Sequence, residues 1–194
     1  MSQPFTISAP ANTDVWKKPP HIDNFNAPHK PHSSGRVSSL LSAKITFSAA
    51  YTQPEDHAGF LLRITRPQSP SPQWIKAGIE FYLGEPRLSV ACCQTYADFS
   101  VADLPVHVSR QDVLQGRRPA TLTLTKTRSP RSGGVSLWFH YVDDENKVPL
   151  RDVCWFYGED GDVEVSAMAA RPSEGADGEF EVTFSEFDVQ WETE

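Results

Sequence analysis

The segment Trp74-Ile-Lys-Ala-Gly-Ile-Glu-Phe-Tyr82 alternates apolar side chains with a second, more polar set and predicts a β-strand with two different faces. Its odd-numbered positions, from Ile75 to Phe81, are all apolar, and successive strand residues point to opposite sides. The odd-numbered side therefore predicts a core face. The even-numbered side carries aromatic and charged groups around Gly78, namely Trp74, Lys76, Glu80 and Tyr82.

A turn and a second strand follow this segment. Leu83-Gly-Glu-Pro86 is a turn cluster. The return segment alternates the apolar Leu88, Val90 and Cys92 with smaller or more polar residues. Residues 74–101 therefore predict a β-hairpin, one face of which is core.

The rest of the chain has the same character. Proline, glycine and aspartate turns separate segments without a helical period, and only Arg110–Gly116 is typical of a short helical turn. We therefore predict an all-β fold, a two-sheet antiparallel sandwich or jelly roll. The predicted strands cover residues 40–51, 58–66, 74–82, 87–96, 105–110, 119–128, 134–142, 151–157, 162–170 and 178–191. The residues expected between the sheets are Ile75, Ile79, Phe81, Leu88, Val90, Leu137, Phe139, Val165 and Phe184.

Length and composition fit one such domain. The chain has 194 residues and 39% hydrophobic content, and its 16 prolines argue against long helices. Residues 1–37 hold six of these prolines and three of the six histidines, with few periodic apolar positions. We expect this segment to be an irregular arm packed on a jelly roll formed by residues 38–194.

Charge and targeting signals limit the partners. A net charge of −7 without a basic stripe disfavours nucleic acid and anionic membranes. The first residues lack the cationic and apolar regions of a secretory signal, and no later run is long enough to span a membrane. Three cysteines, two of them adjacent, do not make a disulfide framework. We expect a cytoplasmic protein.

The non-core face of residues 74–82 is the first candidate site. In a curved sandwich the face opposite the core is a concave surface, and flat aromatic area combined with polar groups is typical of a ligand cleft. Lys76 and Glu80 lie four residues apart, about 13 Å at ~3.3 Å per residue, too far for a direct salt bridge. The alternative is a solvated strand face with exposed aromatics.

Trp138 and His140 repeat this pattern. They alternate with core-like residues in Val135-Ser-Leu-Trp-Phe-His-Tyr-Val142, so we expect them in the same cleft, as ligand-binding residues with Trp74, Lys76, Glu80 and Tyr82. His57 follows Asp56 at the start of a predicted strand, where loop residues often gather into sites. Glu80, His140 and His57 are the candidates for acid–base catalysis, although a lone histidine is more often structural.

Several kinds of site are not predicted. Glu159-Asp-Gly-Asp162 lacks the ligand spacing of a calcium loop, and the histidines and cysteines have no zinc spacing. No phosphate-binding loop or dinucleotide fingerprint is present, so we expect neither metal nor cofactor. Retaining glycosidases need two carboxyl groups ~5 Å apart, and Glu80 has Gly78 and Tyr82 two residues away on either side. Hydrolysis of that type is disfavoured.

Seven strings resemble, in order, the DUF1349 family of concanavalin A-like jelly rolls. They are Glu55-Asp-His-Ala-Gly-Phe-Leu-Leu-Arg63, Trp74-Ile-Lys-Ala-Gly-Ile-Glu-Phe81, Ser89-Val-Ala with Tyr96-Ala-Asp-Phe-Ser100, Trp155-Phe with Met168-Ala-Ala-Arg-Pro172, and Val182-Thr-Phe-Ser-Glu-Phe187. The likeness covers roughly residues 14–190. It implies a two-sheet antiparallel jelly roll of the lectin and glucanase type. The chain departs from the family pattern at Phe99, where tryptophan is common, and at His57, where glutamine often follows the aspartate.

Three functions stay open. The first is a binding or regulatory module that holds a sugar or another small organic molecule. It is favoured because the sequence shows no second carboxylate that hydrolysis would need. The second is a lyase, isomerase or hydrolase for a small metabolite, with Glu80 or His140 as general acid or base. The third is a protein-interaction scaffold; because the family includes a fungal protein described as regulating enolase, the resemblance implies a metabolic enzyme such as enolase as its partner.

Overall fold

The computed structural model describes residues 3–144 and 146–192 and is built almost wholly of strands. In that part of the chain, every helix is too short or too polar to cross a membrane. A 3₁₀ turn spans Val37–Ser39 and one short helix, α1, spans Arg110–Leu114. The strands are β1 Phe5–Ala9, β2 Val15–Lys18, β3 Ile22–Phe25, β4 His29–Arg36, β5 Leu40–Ala49, β6 His57–Thr65, β7 Gln73–Tyr82, β8 Glu85–Cys93, β9 Ala97–Asp103, β10 Ala120–Arg128, β11 Val135–Asp143, β12 Asn146–Val153, β13 Asp162–Ala170 and β14 Phe180–Trp191.

The strands form two six-stranded antiparallel sheets and one small hairpin. Sheet I has the order β1-β14-β5-β10-β11-β12, and sheet II has the order β4-β13-β6-β7-β8-β9. The hairpin is formed by β2 and β3. The predicted all-β, two-sheet antiparallel jelly roll is therefore confirmed. Details differ: the return strand ends at Cys93, a separate β9 follows, and residues 105–110 form no strand.

The core lies between the two sheets, as the alternation on β7 predicts. Of the nine residues expected there, eight are buried and Phe81 is half-buried against the same cluster. The largest buried side chains are aromatic and include Phe60 on sheet II and Phe139 on sheet I. Burying such side chains contributes about 1.5–3 kcal/mol each and stabilises the pairing of the two layers.

The expectation of an irregular arm over residues 1–37 is wrong. β1 pairs with β14 at one edge of sheet I, and β4 pairs with β13 at one edge of sheet II. Edge strands tolerate proline, as at Pro31 in β4, and need no continuous apolar pattern when one face stays exposed. Because the segment has few apolar positions, its edge strands could not be predicted from the alternation of apolar residues.

A buried ion pair ties three segments together beside β6. Arg171 donates from Nε to Asp56 Oδ1 at 2.9 Å and from Nη2 to Oδ2 at 2.8 Å, and both side chains are 3% exposed or less. Asp56 also accepts the backbone N–H groups of Thr52 and Gln53. The backbone of Arg171 exchanges hydrogen bonds with Thr13. The pair therefore fixes the relative positions of three segments: the loop before β6, the residues after β13 and the residues before β2.

Asp56→Asn should lower the free energy of unfolding by about 3 kcal/mol, because removing one charge of a buried pair leaves the other uncompensated. Asp98→Asn is the matched control. Asp98 pairs with Arg151 at 3.2 Å but is 73% exposed, and exposed pairs contribute about 1 kcal/mol or less. Urea denaturation at pH 7 measures both variants, and equal losses would contradict the stabilising role of the buried pair.

Candidate functional site

The β2–β3 hairpin lies against the face of sheet II that points away from the core. A second apolar cluster forms there and includes Val15 from the hairpin and Trp74 from β7. Trp16 and Phe99 pack against it and meet edge to face, with ring centroids 5.9 Å apart. The hairpin thus covers part of this outer face and leaves the rest open beside it.

The open part is a pocket of about 340 Å³. Its lining combines three aromatic rings with a group of ionisable side chains contributed by the hairpin, the loop before β6, and strands β6, β7 and β9. The lining residues are Asp14, Trp16, Lys18, Glu55, His57, Lys76, Glu80, Tyr82, Phe99 and Pro172. Small-molecule sites in proteins begin at about this size.

Two glycines allow β6 and β7 to approach closely between the pocket residues Lys76 and Glu80. Gly78 lies between Lys76 and Glu80 on β7, and its register partner on β6 is Gly59. A Cβ at Gly78 would lie 1.8 Å from the Ala58 carbonyl oxygen, and one at Gly59 would lie 2.1 Å from that of Ala77. The backbones approach so closely that no side chain fits, so Lys76 and Glu80 have no bulky neighbour between them.

A buried polar cluster occupies one side of the pocket. The Lys76 ammonium donates to Asp14 Oδ1 at 3.1 Å and lies 3.2 Å from His57 Nε2. His57 donates from Nδ1 to the Glu55 carbonyl oxygen at 2.9 Å, which leaves Nε2 as the acceptor for Lys76. Burial first, and then the positive charge of Lys76, lower the pKa of His57. The imidazole is therefore neutral near pH 7.

Glu80 faces His57 across the β6–β7 ladder. Its side chain is only 6% exposed, and its Oε2 is buried without a hydrogen-bond partner among the described residues. Burial raises the pKa of Glu80 to about 7, although Lys76 and a hydrogen bond from Ser89 act in the opposite direction. Glu80 is thus a carboxyl group that gains or loses its proton near neutral pH, with one oxygen free.

The structure brings together some of the predicted site residues. Lys76, Glu80 and Tyr82 line the pocket with His57, whereas Trp74 lies on the same face but is buried beneath the hairpin. The proposal that Trp138 and His140 share this cleft is wrong, because β11 belongs to sheet I. Their rings stack on each other at 5.8 Å, on the outer face of that sheet. Outward-facing residues alternate with core residues in both sheets, so the sequence pattern does not show to which sheet a strand belongs.

The residues from the N-terminal segment were missed. Asp14, Trp16 and Lys18 reach the pocket because the hairpin folds over sheet II. Glu55 and Pro172 also line it, from the two sides of the Asp56–Arg171 pair. Two carboxylates besides Glu80, those of Asp14 and Glu55, therefore line the pocket, and neither lies on the same strand as Glu80. Within the described residues, no three His, Cys, Asp or Glu side chains are grouped to hold a metal ion.

The fold is a two-sheet antiparallel β-sandwich with a pocket on the outer face of one sheet. One solved structure with this fold is an endo-β-galactosidase from Clostridium perfringens that releases GlcNAcα1-4Gal, with a TM-score of 0.55 and 11% identity over 88% of this chain and 42% of that one. The family model "Protein of unknown function (DUF1349)" matches residues 1–191. The chain belongs to the DUF1349 family.

Two fungal proteins are similar over nearly the whole chain. Uncharacterized protein AN7484 of Emericella nidulans is 32% identical over 188 residues, which are 96% of this chain and 86% of that protein. A functionally unknown protein from Saccharomyces cerevisiae has the same fold, with a TM-score of 0.69 and 21% identity over 98% of this chain and 89% of that one.

The raised pKa of Glu80 predicts a pH-dependent effect of Glu80→Gln on stability. The folded chain binds the Glu80 proton more tightly than the unfolded chain, so this carboxyl group destabilises the fold increasingly as pH rises from 4.5 to about 7. Glutamine lacks this effect. The unfolding free energy of the variant minus that of the unmodified chain should rise by about 3 kcal/mol between pH 4.5 and pH 8.

Urea denaturation across this pH range measures the difference. Glu181→Gln is the control, because Glu181 is exposed on β14 and an exposed carboxyl group is hydrated alike in the folded and unfolded chains. The difference for Glu80→Gln should rise with pH well beyond that of the control. An equal pH dependence in the two variants would rule out the strong desolvation of Glu80.

Proposed function

We propose that the pocket binds a small, neutral, polyhydroxylated molecule of the carbohydrate type. The observation that carries this proposal is that Glu80 lines a pocket with aromatic rings and that its buried Oε2 has no hydrogen-bond partner among the described residues. A buried polar atom without a partner is costly, and a ligand hydroxyl that bonds to it removes that cost.

The aromatic side of the pocket supports a ring-shaped ligand. Trp16, Tyr82 and Phe99 line it together, and Tyr82 and Phe99 meet with centroids 5.7 Å apart. Rings that contact each other in this way are fixed in position and offer apolar surface to the C–H groups of a sugar. The polar groups on the facing side suit its hydroxyls, which both donate and accept hydrogen bonds.

The charges in the pocket favour a neutral ligand over an anion. Three carboxyl groups, those of Asp14, Glu55 and Glu80, line it with the two lysines Lys18 and Lys76. The charge of Lys76 is already paired with Asp14, and His57 is neutral. No excess of positive charge is present to attract a phosphate or carboxylate.

The comparisons support the same class of ligand at the level of the fold. The endo-β-galactosidase acts on a carbohydrate and has a sandwich that matches this one with a TM-score of 0.55. Ligand chemistry does not follow from the fold alone, so the argument depends on the pocket residues.

Acid–base catalysis is the second candidate function, and the position of Glu80 favours it. A carboxyl group with a pKa of about 7 is suited to proton transfer at neutral pH. A scaffold that regulates enolase has no support in the described contacts or in the comparisons. A cytoplasmic location, and the absence of nucleic-acid and membrane partners, stay predictions from the sequence.

Trp16→Ala should weaken sugar binding about tenfold, because the loss of one aromatic contact surface costs on the order of 1–2 kcal/mol. Trp138→Ala is the matched control, since Trp138 lies on the outer face of sheet I and should leave the affinity unchanged. Saturation-transfer NMR and titration calorimetry with glucose, galactose, mannose and xylose measure the affinities. Thermal melting verifies that both variants fold. Failure of all four sugars to bind would overturn the proposal.

A further inference from the structure

We propose that the pocket catalyses the interconversion of the anomers of a neutral aldopyranose, with Glu80 as the base that removes the proton of the C1 hydroxyl and Lys76 as the acid that protonates the ring oxygen. This inference rests on the proposed function, because it requires that the sugar bind in the same pocket. It goes further by assigning a reaction to the site.

The base is the buried carboxyl group of Glu80. Glu80 lies on β7, a central strand of sheet II, and lines the pocket. Its Oε2 is buried without a hydrogen-bond partner among the described residues. One oxygen of the carboxylate therefore has an unused capacity to accept a hydrogen bond from a ligand hydroxyl.

The acid is held by a separate set of contacts. A lysine ammonium has three N–H donors, and the structure describes acceptors for two of those of Lys76, Asp14 Oδ1 and His57 Nε2. The third has no acceptor among the described residues. Lys76 Nζ also lies 5.4 Å from the centre of the Trp16 ring. Asp14 and His57 are thus positioning residues, which fix the ammonium where a ring oxygen is bound.

The set of groups suits a reaction without an attacking nucleophile. Glycoside hydrolysis needs a second free carboxylate beside the first. Asp14 Oδ1 accepts bonds from the Lys76 ammonium and from its neighbour's backbone N–H, whereas Glu55 lines the pocket from the loop before β6. Strand β7 itself contributes one carboxyl group, that of Glu80, and one cationic donor, Lys76. Anomer interconversion needs one group to take a proton and another to give one.

The reaction is balanced within the sugar and these two side chains. The Glu80 carboxylate takes the C1 hydroxyl proton, the C1–O5 bond breaks as C1 becomes an aldehyde, and O5 receives a proton from Lys76. Rotation about the C1–C2 bond presents the other face of the carbonyl. Ring closure returns the O5 proton to Lys76 and the Glu80 proton to the new C1 hydroxyl. No oxidant, reductant or water is consumed.

Polarimetry of freshly dissolved α-D-glucose, α-D-galactose, α-D-mannose and α-D-xylose tests the inference. Dilute buffer keeps the spontaneous reaction slow. The unmodified protein should accelerate mutarotation of at least one sugar that binds. Glu80→Gln should lower the catalysed kcat about 10²-fold or more with less than a tenfold change in apparent affinity. Glu181→Gln, on the exposed face of β14, should leave the rate unchanged.

The outcomes separate the inference from the proposed function. A sugar that binds but mutarotates only at the spontaneous rate overturns the inference and leaves the binding function intact. If no sugar binds, both are overturned. Undiminished catalysis by Glu80→Gln removes Glu80 from the reaction.

The pH profile of the unmodified protein is a second test, which does not depend on the folding of a variant. The base must be ionised, and burial raises the pKa of Glu80 to about 7. The value of kcat/KM should therefore rise with pH and level off above about pH 7. A profile that is flat between pH 5 and pH 8 would contradict the assignment of Glu80 as the base.

Discussion

The bidentate ion pair between Asp56 and Arg171 is the constraint on which the pocket depends. Three chain segments that are distant in sequence meet at this pair, and each continues directly into the pocket wall: Asp14 from one, Glu55 and His57 from the second, Pro172 from the third. Both charges are buried, so each requires the other. The β-sandwich supplies the rigid sheet, and this pair determines which loop side chains face it.

The polar cluster of the pocket lowers the stability of the fold and gives the site its chemistry. Lys76, His57 and Glu80 are each 6% exposed or less, and burial disfavours the charged forms of His57 and Glu80. The same desolvation leaves the imidazole neutral and the carboxyl group near its titration midpoint at neutral pH. Side chains with shifted pKa values gather at functional sites, because destabilising buried groups are retained where the function needs them.

Much of the fold follows from the sequence, but only part of the site does. Period-2 alternation identified the core face of β7 and the opposite face with Lys76 and Glu80, because strand geometry alone fixes those sides. The same alternation predicts that Trp138 faces outward, but it does not show on which sheet Trp138 lies. Asp14 and Trp16 were not identified because they reach the pocket through a hairpin that is stabilised by tertiary contacts. Its sequence carries prolines and few periodic apolar residues.

The close approach of β6 and β7 at Gly59 and Gly78 has a consequence for the divergence of related proteins. Between Lys76 and Glu80 the two strands meet backbone to backbone, and any larger residue would collide with a carbonyl oxygen of the neighbouring strand. A lineage that acquires a new ligand is therefore expected to keep these two glycines and to change the hairpin and the loop before β6. Those segments carry the pocket residues Trp16, Lys18 and Glu55. Selectivity can then evolve by substitution in these segments, while the pairing of β6 and β7 is retained.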